Sequence, residues 1–240
     1  MWHPNCLSRD KLLQKLAFTL SAVMALCGVL LLSLLVGTSS AFPLFGAFQS
    51  QKPSSSAIPD GYVPISIAAM NGLYTVVQLC PLDFERHARA PWETPMFKDL
   101  VARCPASKRI SKTLQQLKDE LPALQKPDGF VFHQSRVGST LVSNMLATDP
   151  ENLVYAESHP PAMAALHCTG CTRAKQVELL QIIVNAMANS KRHKRLFFKF
   201  QSVQSTLIDL YREAFPNVPW VYVYREPNEI LASQLKRSVR

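Results

Sequence analysis

The segment FVFHQSRVGSTLV (130–142) changes from an apolar run to a polar loop and then returns to apolar periodicity. Within the loop, Gly138 lets the backbone pass close to an anion, and Ser139 and Thr140 add hydroxyl donors. Arg136 adds a forked cation that suits phosphate or sulfate oxygens. A helix that begins near Ser139 would present free N–H groups and the positive end of its dipole. The pattern predicts an anion-binding cradle between a strand and a helix; the alternative is a strand-to-helix turn that is merely polar.

The segment VYVYREPNEILASQL (221–235) repeats the order of strand, cation and helix. Arg225 stands at the end of the predicted strand, and Ser233 lies two turns along the predicted helix, so both could reach one phosphate. The first cradle differs from a Walker A loop, GxxxxGK[ST], because His133 replaces the first glycine and Ser139 replaces the lysine. These differences disfavour ATP or GTP hydrolysis and make a nucleotide-type kinase the weakest option.

Together, SRVGSTL (135–141) and YREPNEILAS (224–233) resemble the paired nucleotide-binding motifs of sulfotransferases that use 3′-phosphoadenosine 5′-phosphosulfate (PAPS). The resemblance covers about residues 107–240. The chain most resembles sulfotransferase-like proteins of bacteria and microbial eukaryotes. These have a GFxFHxSRxGSTL opening and an FPxVPW segment, which is FPNVPW (215–220) here. Family members generally continue beyond the position of Arg240, so we expect this chain to lack the carboxyl-terminal part of the domain.

The resemblance also implies a P-loop-like fold, PAPS as co-substrate and a role for each residue of the two motifs. Arg136, Gly138, Ser139 and Thr140 would hold the 5′-phosphosulfate. Arg225 and Ser233 would hold the 3′-phosphate. No metal is expected, because cationic side chains and N–H groups can neutralise the leaving phosphate.

Three further residues are candidates for catalysis. Glu157 and His159 lie in VYAESHPPAM (154–163), directly after a predicted strand. In glycan sulfotransferases an active-site glutamate stands at this point; Glu157 matches it, although the Ser-His-Pro-Pro that follows departs from the pattern. Both residues stay open as the base, since a glutamate would need a raised pKa whereas histidine titrates near neutral pH. Lys199 lies inside the apolar LFFKF (196–200), near the end of the predicted strand, and similar lysines of the family face the sulfonate. The alternative is a lysine whose amine reaches solvent.

The elements that must position these residues are predicted from periodicity. From residue 129 onward, apolar strand segments alternate with helical ones, which predicts an α/β fold with a parallel sheet and helices on both faces. The strands are predicted at 129–134, 152–156, 195–200 and 219–224, and the helices at about 139–148, 173–189, 203–215 and 226–239. Pro160 and Pro161 predict a loop, and apolar residues at helical spacing predict a helix over 107–121 with Ser107 as its cap.

The amino-terminal part predicts a membrane anchor. No charged residue lies between Lys15 and Lys52, and the apolar stretch 16–36 is long enough to cross a bilayer as a helix. The basic residues before it place the amino terminus in the cytoplasm and the remainder on the other side, as in a type II membrane protein. The alternatives are a signal cleaved after SSA (39–41), giving a secreted protein, or a plastid-targeting leader containing SSAFP.

These patterns divide the chain into a cytoplasmic tail (1–15), a transmembrane signal anchor (16–36), a stem (37–64), an amino-terminal helical extension (65–128) and the P-loop-like domain (129–240). Cys168 and Cys171 form a single CxxC, only half of a structural zinc site, so a disulfide or two thiols are expected there. The excess of Lys and Arg, 26 against 17 Asp and Glu, fits an acidic ligand or a membrane surface. No nucleic-acid partner is expected.

The predicted function is therefore transfer of a sulfuryl group from PAPS to a hydroxyl or amine of a glycan, a lipid or a small molecule. The predicted location is the lumenal side of the Golgi membrane. The alternative is a non-catalytic or degenerate membrane protein, derived from a sulfotransferase, that binds a nucleotide or another anion.

Overall fold

The computed structural model describes residues 57–70, 73–121, 126–168 and 170–238. The predicted tail, membrane span and most of the stem (1–56) lie outside these residues. Among the residues that are described, no helix combines the length and the apolar character that crossing a bilayer requires.

The first part of the described chain is a three-stranded antiparallel sheet flanked by short helices. Its strands, in spatial order, are β1 (Tyr62–Met70), β2 (Leu73–Pro81) and β3 (Ile110–Thr113). Helices α1 (Phe84–Arg89) and α2 (Phe97–Ala102) lie between β2 and β3 along the chain, and α3 (Leu114–Glu120) follows β3. A disulfide between Cys80 and Cys104 joins β2 to the segment after α2.

The predicted helical extension over 65–128 is wrong for the residues that form these three strands. Two prolines fit these strands, because β1 is an edge strand of the sheet, where Pro64 need not donate to a neighbour, and because Pro81 ends β2. The predicted helix over 107–121 begins only at Leu114. Thr113 is its N-cap rather than Ser107, and a capping box with Gln116 fixes that start.

The second part is the predicted parallel sheet, which is confirmed, and its helices flank it. Its strands are β4 (Gly129–His133), β5 (Asn152–Ala156), β6 (Arg195–Lys199) and β7 (Trp220–Val223), in the spatial order β5-β6-β4-β7. The helices are α4 (Ser139–Ala147), α5 (His159–Leu166), α6 (Arg173–Met187), α7 (Ile208–Ala214) and α8 (Pro227–Ser238), and a 3-10 helix (Ser202–Leu207) precedes α7.

The predicted loop at Pro160 and Pro161 is instead the first turn of α5. Proline is tolerated in the first turn of a helix because the N–H groups there have no partner within the helix. The two prolines also occupy the second and third positions of the helix, whose backbone N–H groups normally donate to the N-cap side chain. The buried hydroxyl of Ser158, the N-cap residue, consequently has no hydrogen-bond partner.

One buried core holds both sheets together. Phe130 and Phe132 of β4 pack against Phe200 and Tyr211, and the rings of Phe200 and Tyr211 lie 4.2 Å apart. Residues of β1 and β2 belong to the same cluster of buried side chains. In addition, the buried Tyr155 hydroxyl donates to the carbonyl of Met187, which ties β5 to the end of α6.

The outer strand β7 is much less covered than the other three. Among the described strands it pairs with β4 alone, and Trp220, Val221 and Tyr222 are 44%, 54% and 39% exposed. By contrast, Phe132 of β4 and Phe198 of β6 are fully buried. The sheet therefore has a well-packed centre and one lightly packed edge.

Candidate functional site

The four parallel strands end at one edge of the sheet, and a candidate residue stands at or just after the end of each. Glu157 follows β5, Lys199 ends β6, Arg136 lies in the loop after β4, and Arg225 follows β7. All four line one cavity of about 650 Å³, which we call the cradle cavity. The remaining members of the two motifs line it as well: Gly138, Ser139, Thr140 and Ser233. This is the edge at which open parallel sheets bind ligands.

The loop between β4 and α4 is held in a conformation that costs backbone energy. Gly138, the N-cap of α4, has φ 86°, and Arg136 has φ 64°. No atom lies within 4 Å of the place where a Cβ on Gly138 would be, so the glycine is required by its backbone angle and not by crowding. Strain of this kind persists where surrounding structure enforces it, and it often marks a functional loop.

The two motifs are in direct contact across the cradle cavity. Arg136 Nε donates to Ser233 Oγ at 3.0 Å, which joins the β4 loop to α8. Arg225 forms an ion pair with Glu229 one turn along α8. Because Arg136 and Arg225 both keep side-chain area exposed to solvent, an anion can approach either guanidinium. This contact brings together two segments that lie 97 residues apart in the sequence.

Lys199 and Glu157, which both line the cradle cavity, form an ion pair. Lys199 is 1% exposed, whereas the Glu157 side chain is 32% exposed. Burial lowers the pKa of the Lys199 ammonium, and the hydrogen bond and charge of Glu157 oppose that shift. Glu157 has φ 56°, and its backbone N–H donates to the carbonyl of Lys199 at 2.7 Å, so the carboxylate is held at the strand end by main-chain geometry.

His133, the last residue of β4, has contacts that hold the start of the loop. Its ring nitrogens lie 2.7 Å from the Gln134 carbonyl and 2.8 Å from the Phe200 carbonyl. The nearest Glu157 oxygen is 3.9 Å from Nε2. The main chain of His133 also exchanges hydrogen bonds with the Ser205 hydroxyl, which joins β4 to the 3-10 helix.

His159 does not line the cradle cavity. It lines a neighbouring cavity of about 720 Å³, which we call the second cavity and which it shares with Glu157. Burial lowers the pKa of the His159 imidazole, and the nearby His167 lowers it further. Glu157 is therefore the one of the two predicted bases that faces both cavities.

Outside the two motifs, sequence reasoning missed four residues that line the cradle cavity: Met96, Gln201, Ser202 and Val203. Gln201 and Ser202 follow β6, and the rule that polar residues after a buried strand lie at the ligand edge would have found them. Met96 precedes α2 in a part of the chain where periodicity predicted no element, so no sequence signal pointed to it.

Comparisons of the chain with protein-family models, with curated proteins and with solved structures found no match. The functional assignment therefore depends on the residues of the site and on the resemblance of the two motifs.

Proposed function

We propose that this protein is a PAPS-dependent sulfotransferase with a P-loop-like sulfotransferase fold. One observation carries the proposal: all six motif residues line the same cavity, and Arg136 of the first motif contacts Ser233 of the second. A ligand with two separate anionic groups fits such a surface better than a single phosphate does. PAPS has this character, with a phosphosulfate at one end and a 3′-phosphate at the other.

In this proposal the two motifs divide the co-substrate between them. Arg136, the N–H groups at the start of α4 and the hydroxyls of Ser139 and Thr140 would hold the phosphosulfate. Arg225 and Ser233 would hold the 3′-phosphate. The acceptor oxygen forms a bond to sulfur while the bond from sulfur to the bridging phosphate oxygen breaks, and the electron pair leaves with adenosine 3′,5′-bisphosphate.

Lys199 and Glu157 would serve opposite ends of that transfer. Glu157 takes the proton of the acceptor hydroxyl, because it faces both cavities. Lys199 stabilises the charge that develops on the sulfonate and the leaving phosphate. Their ion pair in the absence of ligand keeps the buried ammonium compensated until an anion enters the cavity.

We further propose that residues 16–36 anchor the protein and that the domain faces the Golgi lumen. The described cysteines are paired, Cys80 with Cys104 and Cys168 with Cys171. Disulfides persist in oxidising compartments, which supports a lumenal domain.

The first test is titration of the full chain with adenosine 3′,5′-bisphosphate, with ATP as the control ligand. We expect micromolar binding of the bisphosphate and none of ATP. A folded chain that binds neither ligand would contradict the proposal.

The second test separates an enzyme from a non-catalytic nucleotide-binding protein. Glu157→Gln is expected to keep bisphosphate binding and to lose sulfuryl transfer from labelled PAPS, while His159→Gln keeps both. Full transfer by the Glu157→Gln variant would remove Glu157 as the base. Bisphosphate binding without any transfer by the unaltered chain would favour the non-catalytic alternative.

A further inference from the structure

The second cavity opens directly beside the cradle cavity. The two share Met96, Glu157 and Gln201, so a molecule in the second cavity would reach the carboxylate that ion-pairs with Lys199. Its volume of about 720 Å³ lies in the range of cavities that enclose most of a small organic ligand.

The wall of the second cavity away from Glu157 is largely apolar. Ile65 of β1 and Phe97 and Val101 of α2 contribute to it, and Ile65 and Phe97 are 5% and 2% exposed. These residues belong to the amino-terminal sheet and its helices, which have no part in the cradle apart from Met96. An apolar body would displace water from this wall favourably, whereas a neutral sugar would leave its hydroxyls without partners there.

Arg109 interrupts this apolar wall, and its guanidinium has no ion-pair partner in the part of the chain that the structure describes. Arg109 Nη2 donates to the carbonyl of Cys104 at 3.3 Å, which holds the side chain in place. Arg109 Nε is buried and makes no hydrogen bond, and among the described residues no carboxylate lies within ion-pair distance of this guanidinium. A charged group without a counterion is costly in an apolar wall, and because Arg109 lines the cavity, an anion on a ligand there would pair with its guanidinium.

We propose that the second cavity binds the acceptor, and that the acceptor is a hydroxy acid with an apolar body whose anionic group pairs with Arg109. This inference rests on the proposed function. The hydroxyl lies at Glu157, which takes its proton; the new O–S bond forms as the S–O bond to the leaving phosphate breaks. Lys98, an exposed residue at the same cavity, adds a second positive charge at the rim.

The test measures binding to the full chain saturated with adenosine 3′,5′-bisphosphate, so that it does not depend on turnover. The ligands are ω-hydroxydodecanoic acid and para-hydroxyphenylpropionic acid, each compared with its methyl ester. We expect at least one acid to bind about tenfold or more tightly than its ester, as one charge-assisted hydrogen bond in a buried site allows. The same acid should accept labelled sulfuryl from PAPS.

Two variants decide whether Arg109 is responsible. Arg109→Gln is expected to bring the acid and the ester to equal affinity and to leave bisphosphate binding unchanged. Arg103→Gln removes one charge from an exposed residue nearby that does not line the cavity, and it should preserve the preference for the acid.

The outcomes separate this inference from the proposed function. If the bisphosphate binds and the acids bind no better than their esters, or do not bind at all, the acceptor class is wrong and the nucleotide site stands. An unchanged preference in Arg109→Gln also overturns the role of Arg109. If the bisphosphate itself does not bind, the proposed function fails.

Discussion

The ion pair between Lys199 and Glu157 makes a prediction that can be tested without any ligand. Glu157→Gln removes the carboxylate that pairs with the ammonium of Lys199, a residue that is only 1% exposed. Removing one partner of a fully buried ion pair typically costs about 3–5 kcal/mol. Here the loss should be smaller, about 1.5–3 kcal/mol, because the Glu157 side chain is 32% exposed and a glutamine oxygen can still accept from Lys199.

The matched variant Lys199→Met should cost less, below about 1 kcal/mol. It removes the buried charge altogether, and the remaining carboxylate is exposed enough to be hydrated. The double variant should therefore be more stable than the sum of the two single losses predicts. The free energy of unfolding in urea, measured on all four proteins, gives the comparison.

The dependence of stability on pH provides an independent readout of the same pair. Burial already lowers the pKa of Lys199, and without Glu157 that pKa falls further. Between the lowered value and the ordinary lysine value of about 10.4, the unfolded chain binds the extra proton, so raising the pH stabilises the folded state. The slope should be steepest in Glu157→Gln and should be reduced in Lys199→Met. Two results together would refute this account: a Glu157→Gln protein as stable as the unaltered chain, and a free energy of unfolding that changes with pH in Glu157→Gln as it does in Lys199→Met.

Three further predictions concern the cradle and the amino-terminal part. Arg136→Ala and Arg225→Ala should each weaken bisphosphate binding by about 1.5–3 kcal/mol. The control variant Arg212→Ala, which alters an exposed residue of α7, should bind the bisphosphate like the unaltered chain. The affinities are measured by calorimetric titration, and equal affinities in all three variants would contradict the site assignment. Gly138→Ala should destabilise the fold by about 1–2 kcal/mol, because alanine disfavours the positive φ of this position although there is space for its methyl group. The midpoint of unfolding measures this effect, and an unchanged midpoint would mean that the loop relaxes. Burial lowers the pKa of His87, so the free energy of unfolding should fall as the pH drops below about 6.5, where the unfolded chain takes up the proton and the folded chain does not. In His87→Gln this loss of stability, measured by acid unfolding, should be smaller. An equal loss in the variant would exclude His87 as its cause.

The parallel sheet could be predicted from the sequence because each of its strands is short and apolar and is bounded by turn residues. The bounds of β5 agree residue for residue with the prediction at 152–156, and those of β4 and β6 differ by one residue at the end. The first turn of α5 could not be predicted in this way, since Pro160 and Pro161 are typical of loops and their tolerance depends on where the helix begins.

The amino-terminal sheet was missed for a different reason. Pro64 is compatible with a strand only if its nitrogen, which carries no hydrogen, does not face a neighbouring strand. That depends on the assembled sheet and not on the segment itself. The same limit applies to the candidate site. The cradle residues could be found because they follow predicted strands, whereas Met96 and Arg109 reach the cavities from an antiparallel sheet region that local periodicity does not reveal.

The light packing of β7 has a consequence for local opening of the fold. An edge strand with hydrogen bonds to one neighbour and half-exposed side chains should open at a lower free energy than the buried strands β4 and β6. Yet Arg225 stands at the end of that strand, while Arg136 stands beyond the end of β4. A ligand that contacts both arginines would therefore hold the exposed strand β7 against the buried strand β4. Amide hydrogen exchange in β7 should then slow with ligand concentration far more than exchange in β4, so that the edge of the sheet reports the occupancy of the site.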